Sequence, residues 1–487
     1  MKIARASRAR CILAALIFFP FALASLSFSI AQAAGDTQVV KAPNPKAIDY
    51  DKLTQEATDF LSKYIRINTS NPPGNELEAA KFLKEKFLSE GIPANIWEPE
   101  PGRGIIAARL RGIGEKKKAL ILQVHMDVVS ANASEWKIPP FSGEVKDGAI
   151  WGRGAADDKG PGVIAMMAMF AIKRAGILLD RDIIFIATGD EEVGGLIGAQ
   201  WFTEHEKDIY ADAGYVLNMD SGGIVDLPDG KKFYSVDVTE KTPLWLRLTT
   251  HGAEGHASAP PAQTAVTSLI GALERIIEYH PQIHVLAPVQ NQFHILAELE
   301  HGPKQFLDLA NSLHDAAYAH EFLADPSHNA AVRDTIAPTV LVAGFKTNVL
   351  PPVATAEIDC RLLPGENQKQ FLANIDKLIN DKDVKVEVLL QSPSATSPSK
   401  SALMSAIERL AREDDHAPVV PAMASGFTDA RFFRAQPNLV AYSFTGIEFT
   451  PGKSSGVHGV DEHLEIKPMG QAIQRIVKLL EIFSKEK

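Results

Sequence analysis

Three short apolar runs in this chain end in metal-type ligands. "LILQV" leads into His125-Met126-Asp127, "DIIFIATG" into Asp190-Glu191-Glu192, and "YVLNM" into Asp220. Helix-length segments, "GPGVIAMMAMFAIKRAGI" and "LIGAQWFTEHE", stand between them. Strand, helix, strand, helix, strand at this spacing predicts an α/β layer around a mostly parallel sheet. In such sheets ligands bind beyond the carboxyl ends of the strands, where side chains from neighbouring strands converge. One strand ending in an acid says little; three together point to a shared site.

At 487 residues the chain is too long for one ordinary core. Its texture changes near residue 241, where "KTPLWLRLTTHGAEGHASAP" alternates apolar and polar residues as a half-exposed strand does. The helix "TAVTSLIGALERIIEYH", two further strands around "NVLPP", another helix and the strand "VKVEVLL" follow. The Ser/Pro-rich "QSPSATSPSKS" reads as a hinge leading back. The expected organisation is a catalytic α/β domain over 51–240 and 396–487, interrupted by a smaller α+β domain over 241–395. Residues 285–335 read as helical and polar, with no legible role.

Lys2, Arg5, Arg8 and Arg10 precede a long apolar run, and "AQA" at 31–33 supplies small residues where a signal peptidase would cut. Residues 1–33 therefore read as a secretory signal, with an uncleaved anchor as the alternative, and 34–50 as a polar lead-in. The signal implies export, to the periplasm in a double-membrane bacterium, and cleavage would leave no membrane span. Cleavage would also remove four basic residues from a formal charge of −10, leaving −14, a poor balance for binding nucleic acid. It would remove Cys11 as well, so Cys360, in the strand-like "ATAEIDCRLL", has no internal partner and reads as a core thiol.

His125 and Asp127 are two residues apart on an extended segment, so Asp127 can accept a hydrogen bond from the second ring nitrogen of a metal-ligating His125. Asp157 and Asp158 stand just before a helix, where Asp158 could instead serve as a cap. "SSGVHGVDEHLEI" adds His458 and His463 near the end. Histidines with several carboxylates suit zinc, or a pair of zinc ions bridged by a carboxylate.

Seven segments, "HMDVVSANASEWKIPPFSGEVKDGAIWGRGAADDKG", "TGDEEVGG", "NMDSGG", "GAEGHASAP", "TNVLPP" with "DCRLLPG", "SGFTDARFF" and "VHGVDEHL", occur in an order that resembles the zinc aminoacylase/carboxypeptidase family. That family includes carboxypeptidase G, aminoacylase, succinyl-diaminopimelate desuccinylase and carboxypeptidase S, and the long "PPFSG" stretch is most similar to the carboxypeptidase S branch. The resemblance implies two zinc ions per chain, with cobalt or manganese as alternatives. It implies His125 and Asp220 on one ion, Glu192 and His458 on the other, and Asp157 bridging them. By the same resemblance Asp127 orients His125, Glu191 is the general base, and His256 helps stabilise the oxyanion. Asn348 and Arg361 would bind substrate, Arg361 by gripping a carboxylate with two parallel hydrogen bonds. The family also implies a homodimer through the 241–395 domain, with His256 reaching the partner's site.

The expected activity is cleavage of the amide bond of a peptide or N-acyl amino acid beside a free carboxylate. An aminopeptidase or dipeptidase of the same fold is the alternative enzyme, and a non-catalytic peptide- or zinc-binding protein the alternative class.

Overall fold

The computed structural model describes residues 45–486 apart from 115, 116, 228, 301, 451 and 453. The segment read as a signal, and most of the lead-in, lie outside them. No helix among the described residues is long and apolar enough to cross a membrane.

Four strands at the centre of the large sheet run parallel, in the order Ile183–Thr188, Ala119–His125, Ala213–Asn218, Val440–Ser443. They are apolar along nearly their whole length because helices cover both faces. Alternate residues divide between the two sides. Leu120, Leu122 and Val124 pack with the helices Tyr50–Ile65, Glu76–Ser89, Lys159–Ala175 and Ile466–Lys485. Ala119 and Ile121 pack with Phe202, Phe432 and Phe433 on the other side. Lys159–Ala175 is buried on almost every side, which explains its unbroken apolar run, and Gly176 ends it in the left-handed conformation (φ 70°). Antiparallel pairings flank these strands, Ala94–Glu100 and Arg103–Leu110 on one side and Lys232–Glu240 and Gly223–Asp226 on the other, where Val419–Ala424 and Glu448–Phe449 add parallel pairings.

The chain passes from Lys232–Glu240 in this sheet directly, through Lys241, into Thr242–His251 of a second one. That sheet is antiparallel, in the order Thr335–Ala343, Val353–Leu362, Thr242–His251, Val384–Gln391. Leu244, Leu246, Leu248, Ile358 and Cys360 face the helices Ala265–Ile277 and Gln368–Ile379. Cys360 is a buried core thiol, its pKa pushed up to about 12 by that burial. The edge strand Thr335–Ala343 leaves Val340, Leu341 and Val342 exposed, Leu341 by 63%.

Two features differ from the sequence reading. Residues 285–335 are helical as expected, but not simply polar: Val289, Phe293, Leu309, Phe322 and Val332 form a core of their own with Leu363 and Met423. Ile295, Leu296 and Leu299 pack against Val225, Phe233 and Val420 of the large-sheet strands. The Ser/Pro-rich stretch, read as a hinge, is held at both Ser397 and Pro398. The Ser397 N–H donates to the Val238 carbonyl at 2.9 Å, and Tyr442 donates its hydroxyl proton to the Pro398 carbonyl at 2.5 Å.

Candidate active site

Beyond the carboxyl ends of the central strands two imidazoles bracket one carboxylate. Asp157 places Oδ1 3.0 Å from His125 Nε2 and Oδ2 3.2 Å from His458 Nε2. Asp220 Oδ1 lies 3.7 Å from the same His125 nitrogen, and Glu192 Oε2 lies 3.1 Å from the same His458 nitrogen. The five residues thus fall into two groups that share Asp157. Asp158 is drawn in as well: His125, Asp158 and Asp220 can each direct a ligand atom within 4.8 Å of the others, as can His125, Asp157 and Glu192.

His125 closes a buried strand, and Glu191 opens a tight turn after Ile183–Thr188. The Asp127 carboxylate accepts the N–H groups of Glu191 and Glu192, each at 3.1 Å, and the Asn71 amide at 2.9 Å. Its relation to His125 is through the main chain as much as the side chain. Nδ1 lies 3.0 Å from the Asp127 carbonyl and 3.5 Å from its carboxylate. Asp158 does not cap the following helix with its side chain; its Oδ2 accepts the His125 N–H at 3.0 Å. Glu462, fully buried, accepts the N–H groups of Gly154, Ala156 and Asp157 and an Arg153 guanidinium proton at 2.6 Å. It holds the loop that carries Asp157.

The electrostatics describe a site rich in buried negative charge. Burial, then the charge of Asp220, pushes the Glu191 carboxyl well above its usual range. Burial carries Glu192 up to about 7 despite its hydrogen bond from His458. Hydrogen bonds to Asp157 and Glu192 raise His458 to about 10. For Asp157 burial acts upward, but the hydrogen bonds from His125 and His458 outweigh it and hold the carboxyl low. Clustered buried carboxylates with two imidazoles are the donor set that divalent cations stabilise, and the mixture of nitrogen and oxygen ligands fits zinc.

Glu191 Oε1 is buried without a hydrogen-bond partner, and its nearest cation is Arg431 Nη1 at 3.8 Å. Arg431 is itself buried, donating to the carbonyls of Thr428 and Gly194. Below the strand ends Gln123, Thr188 and Asp429 form a polar layer in which Gln123 and Thr188 both donate to Asp429. The sequence reading assigned no role to Arg431, Asp429, Glu462 or Asn71. The first three stand inside the motifs "SGFTDARFF" and "VHGVDEHL", which was the available signal.

The remaining expected residues lie apart from this cluster. His256 and Asn348 meet on a two-stranded ribbon of Gly255–His256 with Val349–Leu350, where the Ala257 N–H donates to the Asn348 carbonyl at 3.2 Å. Both side chains are exposed, and among the described contacts none joins them to the cluster. Arg361 directs Nε and Nη2 at Asp359, at 2.7 and 2.9 Å. Its guanidinium lies 4.5 Å from the ring centre of Phe427, and the Arg431 guanidinium lies 4.5 Å from the same centre. His463 stacks on Trp151 at 4.3 Å and stays outside the cluster.

Comparison with known proteins agrees with this architecture. The sequence model of Peptidase family M20/M25/M40 matches residues 121–482. The N-fatty-acyl-amino acid synthase/hydrolase of Xenopus tropicalis is 30% identical, over 77% of this chain and 74% of its own. A probable carboxypeptidase S-like protein of Dictyostelium discoideum is 29% identical, over 90% of this chain and 82% of its own. Among solved structures, an M20 family metallo-carboxypeptidase from Sulfolobus solfataricus superposes with a TM-score of 0.71 at 18% identity, over 89% of this chain and 99% of that one. By its sequence and its architecture the chain belongs to the M20/M25/M40 peptidase family of metal-dependent amide hydrolases.

Proposed function

We propose that the protein is an exported dinuclear zinc hydrolase that cleaves N-acyl amino acids or short peptides at the amide bond beside a free carboxylate. The observation that carries this reading is the Asp157 carboxylate, with one oxygen toward His125 and Asp220 and the other toward His458 and Glu192. His125 and Asp220 would hold one ion, Glu192 and His458 the second, with Asp157 between them. When bound, the ions would polarise the scissile carbonyl and lower the pKa of a water from about 15.7 to about 7.

Glu191 is the proposed proton carrier. It takes a proton from the attacking water and returns it to the departing nitrogen, so it has to remain free of the metals. Its unpartnered Oε1 supports that role. His256 would donate a hydrogen bond to the developing oxyanion. Because its side chain is exposed in the single chain, we assign it to the site of the partner in a homodimer. Arg361 and Asn348, on the second sheet and its ribbon, would receive the substrate carboxylate once Arg361 exchanges Asp359 for it. The names of the relatives, a fatty-acyl-amino acid hydrolase and a carboxypeptidase, support an acylated substrate with a free carboxylate.

The test is metal content and turnover of the purified mature protein before and after chelation, on a panel of N-acylated and free dipeptides. Two zinc ions per chain, activity lost with the metal, and preference for N-blocked substrates are expected. Full activity with less than one ion per chain would overturn the dinuclear reading, and an obligate free amine would favour the aminopeptidase alternative.

A further inference from the structure

The turn that presents Glu191 and Glu192 begins on a residue in a rare conformation. Asp190 sits in the left-handed region, at φ 74° and ψ 4°, where a β-carbon is disfavoured and which Asp tolerates better than most residues. Its carboxylate does not cap the short helical turn that follows. The partners of that carboxylate lie outside the turn. Oδ1 accepts an Arg103 Nη2 proton at 3.0 Å and the Asn71 amide at 3.4 Å, and Oδ2 accepts the Ile197 N–H at 3.0 Å. The Asp190 carbonyl closes the turn, accepting the N–H groups of Val193 at 3.3 Å and Gly195 at 2.6 Å.

Arg103 is itself fixed. Its Nε and Nη2 each donate to Glu76 at 2.7 Å, a two-pronged pair with an acid fully buried at the start of the helix Glu76–Ser89. The pair fills its space. A β-carbon at Gly189 would lie 2.8 Å from Glu76 Cγ, and one at Gly74 would lie 2.5 Å from Arg103 Nε. Both glycines thus let the ion pair press against main chain, and Gly189 is the residue just before Asp190. If Asp190 rotated out of the left-handed region its carboxylate would leave Arg103, and the guanidinium could not follow without breaking the fork to Glu76. A buried acid would then stand without its cation, which is strongly unfavourable.

We propose that Arg103 is a positioning residue for the Glu191–Glu192 turn: locked to Glu76, it holds Asp190 in the left-handed conformation that sets the directions of the two glutamates. Asp127 grips the same turn through its N–H groups, so an acid and a cation hold it at different points. The inference rests on the proposed roles of Glu191 as proton carrier and Glu192 as metal ligand.

The experiment is a double-mutant cycle of Arg103→Lys and Asp190→Ala with zinc supplied. It is read by kcat and KM on an N-acyl amino acid and by hydrogen exchange of the main-chain amides of residues 189–195. Lysine keeps a cation beside Glu76 but cannot bond two acids through a rigid fork. Arg103→Lys should lower kcat about 10- to 100-fold and leave KM within about twofold. Exchange over 189–195 should quicken at least about tenfold, while that of the helix Ala265–Ile277 stays within about twofold. In the Asp190→Ala background, adding Arg103→Lys should change kcat and local exchange by no more than about twofold, because Arg103 acts through Asp190. Asp190→Asn, which tolerates the left-handed region but carries no charge, closes a second cycle with the same expectation should Asp190→Ala fail to fold. Effects that multiply, exchange that quickens throughout the chain, or an unchanged kcat in Arg103→Lys would overturn the proposal. If no acylated substrate is cleaved, the proposed function fails, and the exchange cycle still decides for or against the hold on the turn.

Discussion

The Asp127 carboxylate accepts the main-chain N–H of Glu191 at 3.1 Å, across 64 residues of sequence. Its second oxygen takes the N–H of Glu192. One buried acid therefore fixes the turn that presents both glutamates. An amide at position 127 would turn one acceptor into a donor facing an N–H. Asp127→Asn should lower metal affinity about 10- to 100-fold, the usual cost of losing a group that orients ligands. Zinc titration of the apoprotein checks it, and wild-type affinity would remove Asp127 from this role.

Glu191 and Asp157 should separate chemistry from metal binding. Glu191→Gln keeps the side-chain volume and both neighbouring ligands, so zinc content should remain while kcat falls about 10²- to 10⁴-fold. In Asp157→Asn the residue between the two histidines loses its charge, and zinc content should fall below two per chain. Elemental analysis alongside turnover distinguishes the two outcomes; an active Glu191→Gln enzyme would exclude it as the base.

The exposed strand Thr335–Ala343 supports the proposed homodimer. An edge that offers Val340, Leu341 and Val342 to water together with unpaired main-chain groups is a pairing surface. Leu341→Lys should shift the protein from dimer to monomer in light scattering. Activity should then fall to about the level of His256→Ala, because each site would lose the imidazole supplied by its partner. A fully active monomer would refute both the dimer and the donated histidine.

Lys241 stands between the two sheets, with its ammonium donating to the carbonyls of Ala330 and Arg333 and its pKa lowered to about 8 by burial. The unfolded value is near 10.5. Below about pH 8 the folded chain carries a charge that burial disfavours. Between about pH 8 and 10.5 the folded state binds fewer protons than the unfolded one, so stability gains from rising pH. Relative to Lys241→Met, the wild type should therefore gain up to about 3 kcal/mol across that window. Urea unfolding of both proteins from pH 7 to 10.5 measures the difference, and a constant gap would refute it.

The large sheet was legible because its strands are buried on both faces and therefore read as unbroken apolar runs. The cluster was legible for the same reason: His125, Glu192 and Asp220 interrupt those runs at their ends. Glu462 and Asp429 were not, since an acid bound to distant N–H groups or hydroxyls looks the same in sequence as one in solvent. The 285–335 helices misled in a different way. Their apolar residues face a small local core, while polar ones cover the outside and dominate the composition. Arg361 shows a further limit, for its pairing with Asp359 depends on two side chains sharing one face of a strand.

Glu462 also bears on when the enzyme becomes active. It supplies the acceptor for three N–H groups of the loop around Asp157, about 300 positions earlier in the chain. Synthesis proceeds from the amino end, so the loop emerges long before the residue that shapes it. His458 arrives just ahead of Glu462. A growing chain that has already formed most of its large sheet would thus lack both the proposed ligand His458 and the acceptor that shapes the Asp157 loop. On the proposed ligand set, hydrolytic capacity would be withheld until His458 and Glu462 are in place, and a chain truncated before them should be silent.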